Sequence, residues 1–193
     1  MHKLNIQVIA MALSLTFGAG VMAQSMTKDD HKAGKTKITS DYKADKAACD
    51  SMADNAKDVC VQEAKGKEKV AKAELEASYS PTAKTRNAVR VAKAEATYAV
   101  AKEKCDDMAG NTKDVCIKDA KAARTTAKAD AKVSKVSADA NKDKAGAMAS
   151  AKKDAAADKN DAQYKAARER CDVMSGNAKD ACQNDAKAKF GMK

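Results

Sequence analysis

The segment Cys105-Asp-Asp-Met-Ala-Gly-Asn-Thr-Lys-Asp-Val-Cys116 decides how this chain folds. Its two cysteines lie eleven residues apart, with Gly110-Asn111 midway and helix-forming sequence on both sides. In one straight helix those cysteines would sit about 16 Å apart along the axis. A disulfide needs its two Cα atoms within about 7 Å. A bonded pair therefore forces the chain to turn back between them. Glycine accepts the left-handed backbone that stops a helix, and asparagine can cap the next one. The spacing predicts helix, tight turn, helix, with a bridge across the neck.

The segment is one of three. Cys49-Asp-Ser-Met-Ala-Asp-Asn-Ala-Lys-Asp-Val-Cys60 precedes it, and Cys171-Asp-Val-Met-Ser-Gly-Asn-Ala-Lys-Asp-Ala-Cys182 follows. Each copy has a tyrosine seven residues before its first cysteine: Tyr42, Tyr98 and Tyr164. Each has an Ala-Lys pair four residues after its second: Ala64-Lys65, Ala120-Lys121 and Ala186-Lys187. The third copy repeats the turn as Gly176-Asn177. The first has Asp54-Asn55, and aspartate tolerates the left-handed region less well than glycine. The expected bridges are Cys49–Cys60, Cys105–Cys116 and Cys171–Cys182. Six cysteines allow other connectivities, which the sequence leaves open. Local pairing is favoured because each pair is near in sequence and recurs as a unit. Each bridge is worth about 2–3 kcal/mol by loop closure.

Composition gives those staples their importance. Alanine supplies 44 of the 193 residues, about half of the hydrophobic class. From Gln24 onward the large aliphatic and phenyl side chains are Leu75, Ile38, Ile117, Phe190 and ten valines. Alanine buries little area, so no large globular core is expected. The fold class read here is all-α: long Ala/Lys-rich helices in three disulfide-clamped hairpins, elongated or loosely bundled. A heptad-like seam supports it. Val91, Ala94, Tyr98, Ala101, Cys105 and Met108 step by three and four along one face. The methionines and tyrosines are read as local packing.

The chain divides accordingly. Residues 1–23 read as a secretory signal peptide: Lys3, an apolar stretch from Leu4 to Phe17, then Val21-Met22-Ala23 before the cut. The rival reading is an uncleaved anchor, the one route by which this chain would reach a membrane. Residues 24–40 read as a flexible polar leader, with Thr39 or Ser40 capping the first helix. Hairpin 1 is expected over 41–80, hairpin 2 over 81–145 and hairpin 3 over 146–193. Ser80-Pro81 should stop one helix and start the next. Helices are expected to run to about Met108 and Met174, Gly146 to kink or break, and low-complexity 125–160 to fray.

The chemistry of an enzyme is missing from this pattern. The histidines are His2 and His31, both in the leading segments. No glycine-rich phosphate loop occurs. Acids and bases alternate at helical spacing, as on a solvated face. A non-enzymatic protein without cofactor follows. Two alternatives are specific. Cys-x-x-Met with a cysteine eight residues on offers thiolate, thioether and thiolate, a Cu(I) or redox-sensing set with Met52, Met108 and Met174 as thioethers. A net charge of +10, or +9 once Lys3 is removed, suits anionic envelope polymers such as lipopolysaccharide. Nucleic acid is disfavoured because stacking aromatics are few. The sequence names no protein partner and no oligomeric state.

The runs Val91-Ala-Lys-Ala-Glu-Ala96 and Ala71-Lys-Ala-Glu74, together with the repeated Cys-Asp-x-Met-x-Gly-Asn-x-Lys-Asp-x-Cys unit, carry a resemblance. The chain resembles the Ala/Lys-rich exported proteins of proteobacteria labelled cell-envelope-biogenesis or TolA-like. That likeness implies a helical, periplasmic, structural or stress-associated envelope protein. TolA itself is membrane-anchored and has a folded C-terminal binding domain. Here the leader reads as cleavable, and no segment is similar to that domain.

Overall fold

A computed structural model describes residues 26–139 and 144–192. The expected signal peptide lies outside the described residues. Within them the chain forms six α-helices and no strand. These are α1 (Lys28–Ala48), α2 (Asp54–Tyr79), α3 (Ala83–Lys104), α4 (Gly110–Ala138), α5 (Lys144–Cys171) and α6 (Gly176–Phe190). The bridges are Cys49–Cys60, Cys105–Cys116 and Cys171–Cys182, each with Cα atoms 5.7 Å apart. They clamp α1 to α2, α3 to α4 and α5 to α6, so the chain is all-α and built of three stapled hairpins.

Several boundaries differ from the sequence expectation. Described residues 28–40 are not a flexible leader, because α1 begins at Lys28. Thr27 and Asp30 form a reciprocal capping box that satisfies two free backbone N–H groups there. His31, just inside that helix, stacks on Tyr79 of α2 at 4.2 Å and meets Glu76 Oε1 at 2.9 Å. At the next junction Ser80 ends α2, and Thr82, not Ser80, caps α3 through a box with Thr85. Among the described residues α5 runs from Lys144, so Gly146 lies within that helix and does not break it. The low-complexity stretch is helical up to Ala138 and again from Lys144. Ala129, Ala131, Ala151 and Ala155 are buried there, which gives both helices a packed face that composition alone did not reveal.

The interior is thin. Every buried apolar side chain among the described residues belongs to alanine or cysteine. Ala64, Ala120 and Ala186, the alanines of the three Ala-Lys pairs, are buried, while their lysines point outward. Small side chains let helix backbones approach closely, so the contact per residue is high although the area per residue is low. Gly66 makes the point: a Cβ built there would lie 3.0 Å from Ala96 Cβ on α3.

The helices form an antiparallel row. Substantial contacts join each one to the next in chain order, from α1–α2 through α5–α6. Asn87 and Val91 of α3 and Asp158 of α5 border one groove over α4. Neighbouring hairpins dock through α2 on α3 and α4 on α5, and equivalent residues meet at both places. Lys104 pairs with Glu63 as Arg170 pairs with Asp119. Lys93 pairs with Glu74 as Lys159 pairs with Asp130.

Candidate functional site

The repeated segments form the three hairpin tips. The helix entering each tip ends at or just before its first cysteine. Cys49–Ser51 and Cys105–Asp107 form a turn of 3-10 helix, and Asp172-Val173 forms a turn. Met52 and Met108 are extended, and in all three tips the methionine N–H donates to the cysteine carbonyl at 3.0 Å. The expected helices to Met108 and Met174 therefore stop short, at Lys104 and Cys171. Met52, Met108 and Met174 leave the seam and are 46%, 41% and 43% exposed, so they are not packed as the heptad predicted.

The turn residues behave as a set. Gly110 and Gly176 take φ of 55° and 53°, and Asp54 takes 52° in the same place. The left-handed residue was expected to close the first helix. It opens the second, because the chain has already left the first helix at the cysteine. The asparagines correspondingly are not N-caps. Ala53, Ala109 and Ser175 hold that position without a side-chain hydrogen bond. Asn111 instead donates its Nδ2 proton to the backbone carbonyl of Glu169, at 3.1 Å, on α5. Asn55 is half-buried with its amide nitrogen unpartnered, and Asn177 is exposed.

Two charged positions close each tip. Asp50 meets Lys57 at 3.1 Å, Asp106 meets Lys113 at 2.8 Å, and Asp172 meets Lys179 at 2.9 Å. The hydrogen bond from Lys113 holds the Asp106 carboxyl below its ordinary pKa, and Lys179 does the same for Asp172. The sequence showed these residues recurring but did not pair them.

The sulfurs are committed. No cysteine among the described residues is free, so the thiolates of the Cu(I) reading are absent in this oxidised chain. Cys49, Cys105 and Cys171 are almost fully enclosed. Disulfides persist in oxidising, extracytoplasmic compartments, and this chain carries three. Among the described residues no helix is long and apolar enough to cross a membrane. None of their His, Cys, Asp and Glu side chains gather into a group of three that would hold a metal ion.

Away from the tips, α2 and α3 border an open groove of about 810 Å³. Val70, Ala71, Ala96 and Val100 line it, and Lys67, Lys93 and Glu74 lie at its rim. Lys67 is paired with Asp45 of α1 and Lys93 with Glu74, so both of these rim lysines are engaged. Comparison with protein-family models, with curated proteins and with solved structures gives no match.

Proposed function

We propose that the chain is a non-enzymatic structural, spacer or stress-associated protein of the bacterial cell envelope, exported to the periplasm. One observation carries this reading: the repeated chemistry is spent on scaffold. In each tip the cysteines bridge, and the Asp–Lys pair closes the turn. The equivalent ion pairs at α2–α3 and α4–α5 then set one hairpin beside the next. A row built from nearest-neighbour contacts grows in one direction with each added unit, which is how a spacer is made. The TolA-like resemblance and the apolar leader point to the same compartment.

The test is complementation. A strain lacking the protein, challenged with detergent or chelator, should be rescued by the full chain and partly by a two-hairpin chain. Scattered Lys→Gln changes on exposed faces should leave rescue intact. Loss of rescue by those changes, with salt-sensitive retention of the wild type on lipopolysaccharide, would replace the spacer reading with polymer binding. Peptide mapping of the periplasmic protein, isolated without reductant, should start at Gln24.

A further inference from the structure

Seven positions are identical in the three tips: both cysteines, the first aspartate, the methionine, the asparagine, the lysine and the second aspartate. Four have a structural account in every copy. The cysteines bridge, and Asp50, Asp106 and Asp172 pair with Lys57, Lys113 and Lys179, while the asparagine bonds across hairpins in one copy, Asn111. Asp58, Asp114 and Asp180 are exposed one turn into α2, α4 and α6. Of the remaining positions, the methionine is the one that carries a reactive sulfur. It donates its backbone N–H, which any residue but proline would supply, and its side chain is 41–46% exposed.

We propose that Met52, Met108 and Met174 are reversible oxidation sites, where the folded protein consumes peroxide-class oxidants. The thioether sulfur attacks the terminal oxygen of a hydroperoxide. The O–O bond breaks, one oxygen stays on sulfur as the sulfoxide, and the other leaves as water or alcohol. A methionine sulfoxide reductase reverses the step with two electrons from a thiol pair, which becomes a disulfide while the oxygen departs as water.

The geometry favours this chemistry at the tips over the rest of the chain. Exposure decides which methionines oxidise. Among the described residues Met26, Met148 and Met192 are half-buried, and the three tip methionines are exposed. Oxidation usually disrupts a protein by placing a polar sulfoxide in its core. Here the side chain has already left the seam. The disulfide, the Asp–Lys pair and the Met N–H to Cys C=O bond hold the turn without it. The tips point to one edge of the row, because α2–α3 and α4–α5 connect at the other. Adjacent tips lie two helices apart, or about 16–20 Å, so each methionine reacts singly.

The experiment uses the full, disulfide-intact chain and hydrogen peroxide. Peptide mapping over time should show sulfoxide at Met52, Met108 and Met174 forming roughly three-fold or more faster than at Met148. Helical content and thermal midpoint should stay unchanged as the tips oxidise. Reductase with thioredoxin should return the three to methionine. A chain with M52L, M108L and M174L should fold equally well and lose the fast phase of peroxide consumption. Equal rates at Met148, or a midpoint that falls in step with tip oxidation, would overturn the proposal.

Discussion

The side-chain amide of Asn111 donates to the backbone carbonyl of Glu169, joining the tip of the second hairpin to the neck of the third. That carbonyl also accepts from the Asp172 N–H, so one oxygen anchors two turns. Replacing Asn111 with alanine should cost about 1 kcal/mol, the net worth of a buried neutral hydrogen bond. Asn177 is exposed at the equivalent position of the last tip. Asn177→Ala should therefore change the urea midpoint little. Equal effects at both sites would remove the inter-hairpin tie as the cause.

The left-handed turn residues predict an asymmetry. A Cβ at Gly110 meets nothing within 4 Å, so its cost is purely conformational. Gly110→Ala should destabilise by about 1 kcal/mol. Asp54 already bears that strain at φ 52°. Asp54→Gly should stabilise hairpin 1 by up to about 1 kcal/mol, read as a rise in thermal midpoint.

Removing one staple tests how much a core of alanine can hold. The double change Cys105→Ala with Cys116→Ala should lower stability by about 2–3 kcal/mol. The middle hairpin docks on both others, through α2–α3 and α4–α5. Its loss of protection should therefore spread outward in hydrogen exchange, whereas opening Cys171–Cys182 should loosen α6 first.

Acid should weaken the contact between α3 and α4. The Glu95 carboxylate is held below its ordinary pKa of 4.5, chiefly by a hydrogen bond from Lys128, with burial opposing and Arg124 assisting. A lowered folded pKa stabilises the fold above the unfolded value and loses that contribution as pH falls through the folded one. The thermal midpoint should be flat down to about pH 5 and then decline. Glu95→Gln should shrink the decline. The tip carboxylates Asp106 and Asp172 act in the same direction and should extend the loss to lower pH.

Much of this architecture was legible because the cysteine spacing is a hard geometric constraint and the repeat supplies it three times. The hairpins, their bridges and the left-handed turn residues follow from it. What escaped was of two kinds. Thr27 and Asp30 do spell a capping box, but the polar run after them shows its packed face only against α2, through His31 and Glu76. The docking of hairpins depends on pairs such as Asp119 and Arg170, which are distant in sequence. A signal existed. The residues just before the first cysteine are Glu103-Lys104 and Glu169-Arg170, but Ala47-Ala48 in the copy whose first helix meets no preceding hairpin among the described residues. The methionines misled because a heptad continues on paper through a helix that has already ended.

The bridges also set how far the molecule can be drawn out. Each closes a span of eleven residues to 5.7 Å, so a pull on the two ends unwinds the helices but cannot lengthen the tips. Each sealed loop withholds about 30 Å of contour. Stretched to its limit, the oxidised chain is shorter than the reduced one in three equal steps, so its reach is set by the thiol chemistry around it.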